Sequence, residues 1–189
     1  MTLAESLESM LPAGESRRFG QLLLTRSDSG SYHARHQCDA GEMGEKLTPV
    51  KTPEEMREIA RVDADGAYRA LPTAPSLVGG WEVTTDSADE FLLFLDSIYP
   101  SVFASWVAYE KGEIEPTSLR DTLVRHGIDP VSDARANQVM RTVCAMGCIR
   151  TIAWPLDKSC AVSRLKAHPR SIPTICLEAC PIALDAAKK

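Results

Sequence analysis

The chain opens with apolar residues at helical spacing. Leu3, Leu7 and Met10 recur every three to four positions, and Pro12 and Gly14 end the pattern, so residues 1–17 read as a short helix or terminal arm. From Gln21 the period changes. Gln21-Leu-Leu-Leu-Thr25 is a short apolar run, Ser27-Asp-Ser-Gly30 is turn chemistry, and the return arm alternates. Tyr32, Ala34 and His36 share one face of that arm, and His33, Arg35 and Gln37 the other, which predicts a β-hairpin over 19–37. Residues 40–51 read as a loop. Thr52-Pro-Glu-Glu55 then announces a helix with a buried stripe of Met56, Ile59 and Ala60, which Asp63-Ala-Asp-Gly66 ends or interrupts.

The Pro- and Gly-rich stretch from Tyr68 to Trp81 marks a boundary. Beyond it the helical period dominates. Ser87-Ala-Asp-Glu90 is a second capping box, leading into Phe91-Leu-Leu-Phe-Leu95, and Tyr99-Pro100 breaks that helix. Further helices are expected over Val102–Tyr109, over Thr117–Arg125 with Gly127 as terminator, and over Ser132–Val143. The fold class that follows is α+β. It comprises an arm (1–17), a small hairpin-and-helix domain (18–75) and a mostly helical domain (76–189).

Composition adds exclusions. Of 189 residues, 44% are apolar and 25% charged, with a formal net charge of −5, so nucleic-acid binding is disfavoured. No apolar run reaches bilayer length, and the amino terminus lacks the basic start and apolar core of a secretory signal. A cytoplasmic protein without membrane attachment is expected. In a reducing compartment its six cysteines point to metal binding, chemistry or burial in preference to disulfides.

Four of those cysteines form two pairs of equal spacing, Cys144-Ala-Met-Gly-Cys148 and Cys176-Leu-Glu-Ala-Cys180. Each pair brings two thiols to one point, on one helix face or in a turn. Two such pairs supply the four thiolates of a cubane cluster or a tetrahedral zinc. Spacing alone leaves [4Fe–4S], structural zinc and unliganded thiols open. Pro181 follows Cys180, as proline closes the bacterial ferredoxin run, although the rest of that run is absent. Arg141, Thr142 and Arg150 flank the first pair and are placed to offset cluster charge. Cys160 lies between the pairs as a fifth candidate ligand without a partner at motif spacing, and Cys38 lies far upstream, where His33-Ala-Arg-His36-Gln-Cys38 holds three potential metal ligands in six residues. His33 and His36 point to opposite faces of the expected strand, which argues against a shared metal, while His36 with Asp39 is placed to line a pocket. His126 reads as a helix end and His168-Pro169 as loop. Trp106 and Trp154 read as core, and Trp154, six residues after Cys148, is placed to shield a cluster from water. No nucleotide loop or nucleophile elbow is present, so no acid, base or nucleophile is assigned.

Val143-Cys-Ala-Met-Gly-Cys-Ile-Arg-Thr-Ile-Ala-Trp154-Pro, followed by Cys176-Leu-Glu-Ala-Cys180-Pro, resembles the carboxy-terminal [4Fe–4S] domain of the Deinococcus-type CbiX-like cobaltochelatase family. Gly79-Gly-Trp81, Leu95 to Pro100 and Trp106 resemble the start of that domain. Tyr32-His-Ala-Arg-His36 with Asp39, and Asp65-Gly-Ala-Tyr68-Arg-Ala-Leu71, resemble the family's stabilising domain. The resemblance implies that Cys144, Cys148, Cys176 and Cys180 hold a [4Fe–4S] cluster. It also implies a link with metal insertion into sirohydrochlorin in cobalamin biosynthesis. The chain is expected to be too short to carry the chelatase region as well. The expectation is therefore an iron–sulfur electron-transfer or accessory module serving a separate chelatase or redox partner, with a zinc-stabilised interaction module as the alternative.

Overall fold

The computed structural model describes residues 1–41, 47–61, 77–145, 148–165 and 170–189. The expected helix stop at 63–66, most of the Pro/Gly-rich boundary, the 65–71 segment and His168-Pro169 lie outside the described residues. The described residues form two compact units, Met1–Val107 with Arg170–Ile172, and Ala108–Pro169 with Pro173–Lys189.

The first unit is built on a five-stranded sheet. Strands β1 (Ser16–Phe19), β2 (Leu22–Arg26) and β3 (Tyr32–His36) are joined by β4 (Thr48–Val50) and β5 (Trp81–Thr85) in the order β1-β2-β3-β5-β4. All neighbours are antiparallel except β4 and β5. The expected hairpin is β2–β3. Its turn closes through Gly30, whose φ of +97° suits a residue without a Cβ. Tyr32, Ala34 and His36 face inward as their alternation requires. Strands β1, β4 and β5 were not anticipated. β1 reads Ser-Arg-Arg-Phe and has little apolar character, and β4 falls in the stretch expected as loop. Both owe their strand form to partners distant in sequence or to the hairpin edge. β5 returns the chain to this sheet, so the first unit runs on past the compositional boundary near 75 to Val107.

Helices cover the sheet: α1 (Leu3–Met10), α2 (Pro53–Arg61) and α3 (Ala88–Ile98). Thr2 and Glu5 form a reciprocal capping box on α1. Thr52 accepts from the Glu55 N–H at 3.2 Å, and Ser87 from the Glu90 N–H at 3.3 Å. The capping glutamates of α2 and α3 depart from the box: Glu55 accepts from Lys51 N–H, and Glu90 from the Thr85 hydroxyl. Leu7, Leu11, Phe19, Leu22, Leu24, Val83 and Phe91 make the core. Gly20, at φ +59°, lies against the Tyr99 ring, where a Cβ would fall 2.8 Å from Cε2.

α4 (Val102–Glu110) follows Ser101, a non-glycine residue at φ 59°. The second unit then contains α5 (Leu119–Arg125), α6 (Asp133–Val139), a two-stranded ribbon of β6 (Ile152–Ala153) and β7 (Ser163–Arg164), and α7 (Pro181–Lys188). Gly127 terminates α5 at φ +64°, as expected. The helix expected over 132–143 changes character after Val139, where Met140–Ala145 forms a π-helical turn. Leu119, Leu123, Ala136, Val139, Trp154 and Leu184 form the core, with Cys144 among them. Among the described residues, no single helix is long and apolar enough to cross a membrane.

Candidate metal centre

Three local features converge on the cysteines of the second unit. The first is the π turn that ends α6. Such turns insert an extra residue into the helical ladder and recur at functional sites. Here the Thr142 hydroxyl donates to the Gln138 carbonyl at 2.9 Å, and the turn carries Cys144 into the core, where it is buried.

The second feature is a zipper between the segment after Cys148 and the segment before Cys176. Thr151 N–H donates to the Thr174 carbonyl at 2.9 Å and to its Oγ1 at 3.0 Å, and Thr174 N–H donates to Thr151 Oγ1 at 2.9 Å. The fully buried Thr174 hydroxyl donates to the Ile149 carbonyl at 2.9 Å, and Cys176 N–H to the Ile152 carbonyl at 2.8 Å. Two cysteine pairs more than twenty residues apart in sequence are thus fixed in register.

The third feature is the start of α7. Cys180 occupies the N-cap and Pro181 the first turn, where its missing N–H costs nothing. The partial positive charge of a helix N-terminus favours an anion such as a thiolate there. The loop between Cys176 and Cys180 is held by Thr117 N–H on the Leu177 carbonyl at 2.7 Å and by an Arg125–Glu178 ion pair at 2.7 Å. Arg135 ties α6 to α7 through the Ala186 carbonyl.

The electrostatics report the convergence. Burial, with repulsion from Cys148, Cys176 and Cys180, pushes the Cys144 thiol up to about 12. Burial pushes Cys176 up to about 11, with Cys148 and Cys180 adding to the rise and the Arg150 cation opposing it. Cys148, Cys176 and Cys180 therefore lie near enough to Cys144 to oppose its ionisation. A cationic metal centre removes that resistance, because it binds the thiolate form. The remaining donors suit a polynuclear centre. Arg150 N–H faces Cys148 Sγ at 3.5 Å, an N–H···S contact of the kind that tunes clusters. Four neighbouring thiols with an N–H donor beside one of them form a donor set that fits a [4Fe–4S] cluster.

Cys160 stands apart. It is exposed, hydrogen-bonds to Asp157, and is not among the groups that repel Cys144 or Cys176. Of the flanking residues, Arg150 is engaged with the cysteine segments, and Thr142 caps the π turn. Trp154 is fully buried in the core, and among the described residues its Nε1 has no hydrogen-bond partner. The Thr151–Thr174 zipper and the helix at 181–188 are parts of the site that sequence reasoning missed. Pro181 after a capping position was the available signal for the helix.

An α+β protein whose second unit brings three cysteines close to a fourth, buried one has the donors of an iron–sulfur protein, and likeness to known families supplies the rest. Residues 5–110 match the DR2241 stabilising domain family, to which the chain belongs, and residues 111–189 match the 4Fe-4S iron-sulfur cluster binding domain. The second unit is thus a [4Fe–4S] binding domain, and the family is the one the cysteine pairs resemble. A crystal structure of DR2241 from Deinococcus radiodurans is similar at 26% identity with a TM-score of 0.71. It is described as a multi-domain protein with structural similarity to chelatases and two additional novel domains. The match covers 98% of this chain and 40% of DR2241, so the chain spans well under half of that protein's length. No curated protein matches the chain.

Proposed function

We propose that Cys144, Cys148, Cys176 and Cys180 are the four ligands of the cluster, and that the chain is an electron-transfer or accessory module connected with metal insertion into a sirohydrochlorin-type tetrapyrrole. One observation carries the ligand assignment: the Thr151–Thr174 zipper aligns the segment after Cys148 with the segment before Cys176, so that Cys148, Cys176 and Cys180 all lie close enough to act on the buried Cys144 thiol.

A bound cluster supplies one-electron redox chemistry. The chain's own residues set its conditions. Arg150 places a cation and an N–H beside the sulfurs of Cys176 and Cys148. Cys180 sits at the positive end of α7. Trp154, Ala153 and Ala179 keep water from the core side of the site. Four protein ligands leave no open iron, which favours electron transfer over substrate binding at the cluster. The chelatase connection is supported by the likeness to DR2241, whose chelatase-like architecture carries additional domains. A separate chelatase or a redox protein is the partner this reading requires.

Anaerobic purification with iron and sulfide analysis tests the first half. Four irons and four sulfides per chain, lost on replacing any of the four cysteines, is the expected result. A colourless protein with one zinc would overturn it. The second half is tested by adding the chain, with and without its cluster, to a sirohydrochlorin chelatase assay. An unchanged rate of metal insertion in both would sink the accessory reading.

A further inference from the structure

The first unit contains a second cluster of metal-binding groups. His36 ends β3, and the 3₁₀ turn Gln37–Asp39 follows directly. That turn folds Cys38 and Asp39 back onto His36. His36 Nδ1 lies 2.7 Å from Cys38 Sγ, Cys38 Sγ lies 3.4 Å from Asp39 Oδ1, and the ligand atoms of all three fall within 4.8 Å of one another. His33 is not part of this group. It faces the other side of the strand, where its Nδ1 contacts Thr84 Oγ1 at 3.1 Å.

We propose that His36, Cys38 and Asp39 bind a single divalent cation of the zinc class. An imidazole nitrogen, a thiolate and a carboxylate are the three ligand types that zinc accepts, and three protein ligands leave a fourth position open. Two features show a built site. Gly80 N–H donates to Asp39 Oδ2 at 2.8 Å and orients the carboxylate, as outer hydrogen bonds orient metal ligands elsewhere. Gly79 packs against the triad so closely that a Cβ there would fall 2.8 Å from Cys38 Sγ and 2.9 Å from each Asp39 carboxylate oxygen. The space needed by the ligands is reserved by the absence of a side chain. His36 and Asp39 are each 9% exposed, while Cys38 is open to solvent and gives the cation its entry path.

The geometry disfavours a thiol nucleophile. Such a device runs from thiol to imidazole to an orienting carboxylate on the far ring nitrogen. Here Asp39 addresses the sulfur, and among the described residues His36 Nε2 is buried with no hydrogen-bond partner. The carboxylate and Nδ1 both face the sulfur, and a small widening of their contacts puts all three donor atoms around one cation. On binding, the thiol S–H bond breaks, its proton passes to solvent, and sulfur, nitrogen and oxygen each donate a lone pair to the metal.

The test uses the full chain carrying its cluster, titrated anaerobically with Zn²⁺ against a chromophoric chelator. One zinc per chain is expected, with the cluster absorbance unchanged. Cys38→Ser and His36→Gln should weaken binding at least about 100-fold, and Asp39→Asn, which keeps the Gly80 bond, at least about tenfold. Gly79→Ala should weaken it by about 10–100-fold by displacing the ligands. Bound zinc should also protect Cys38 from alkylation, and Co²⁺ should give a thiolate charge-transfer band absent from Cys38→Ser. Failure of wild type to bind, equal binding by Cys38→Ser and Asp39→Asn, or uptake only with loss of cluster absorbance would each overturn the proposal. Because the cluster is monitored throughout, that failure is distinct from failure of the cysteine ligation.

Discussion

Arg150 is joined to Ile175 by a hydrogen bond of 3.0 Å from its Nη1 to the backbone carbonyl, so a cation from one cysteine segment is anchored to the residue preceding Cys176 in the other. Arg150 also lowers the cost of ionising Cys176. A fixed positive charge stabilises the more negative, reduced state of a cluster. One unit charge several ångströms away is worth on the order of 1–2 kcal/mol at an effective dielectric near 20. For a one-electron couple that corresponds to tens of millivolts. Arg150→Gln should therefore lower the midpoint potential by that amount, and Arg150→Lys should restore most of it. Protein-film voltammetry of the three proteins decides this. A rise in potential, or no shift, would contradict the assignment.

The division among the cysteines makes a second prediction. Cys148, Cys176 and Cys180 all lie close enough to act on Cys144, while Cys160 bonds to Asp157 at the surface. Serine at any one of the four should cost most of the iron. Cys160→Ser should keep the full complement and the visible spectrum of the parent. Iron quantified per chain after anaerobic reconstitution checks both, and iron loss from Cys160→Ser would make it a ligand.

Trp154 offers a stability test inside the same unit. It is wholly buried against a core that includes Leu119, Leu123, Val139 and Leu184. Trp154→Ala should destabilise the unit by about 3–5 kcal/mol through lost burial and a cavity. Trp154→Phe should cost far less. It keeps much of the ring volume and removes an N–H that has no hydrogen-bond partner among the described residues. Chemical denaturation of the cluster-loaded protein, followed by far-ultraviolet circular dichroism, separates the two. Equal losses would mean that the indole nitrogen has a role the packing does not show.

Local signals carried much of this architecture. Ser87 and Thr52 announced helices because capping is written within four residues. Ser27–Gly30 announced the β2–β3 hairpin because its turn chemistry is equally local. The strand Thr48–Val50 gave no such sign. Its reason to be extended is a parallel pairing with Trp81–Val83, more than thirty residues away. The two Cys-x-x-x-Cys spacings were legible. The Thr151–Thr174 zipper that aligns them was not, because two threonines at that separation carry no periodic signature. The group at His36 was partly legible. Alternation correctly put His33 and His36 on opposite faces. It gave no hint that a 3₁₀ turn folds Cys38 and Asp39 back toward His36 Nδ1, because alternation stops where the strand does.

Tyr32 supplies a pH-dependent prediction in the first unit. Its ring stacks on Phe91 at 5.2 Å, and its hydroxyl donates to Glu8 Oε1 at 3.1 Å. Burial, and then the hydrogen bond to Glu8, raise its pKa above the usual phenol value, with Arg26 opposing the rise from above the ring. The unfolded chain releases this proton near pH 10, whereas the folded chain retains it to higher pH. The folded state thus binds more protons above about pH 10, and the stability contributed by Tyr32 declines as pH rises through its folded pKa. At neutral pH, Tyr32→Phe should cost about 1 kcal/mol, the net value of one hydrogen bond to a half-exposed acceptor. That deficit should shrink as pH rises past 10, because phenylalanine has no proton for unfolding to release. Thermal unfolding of parent and variant from pH 8 to pH 11 measures the gap directly. A gap that stays constant or widens with pH would show that the folded state does not hold the Tyr32 proton more tightly than the unfolded chain does.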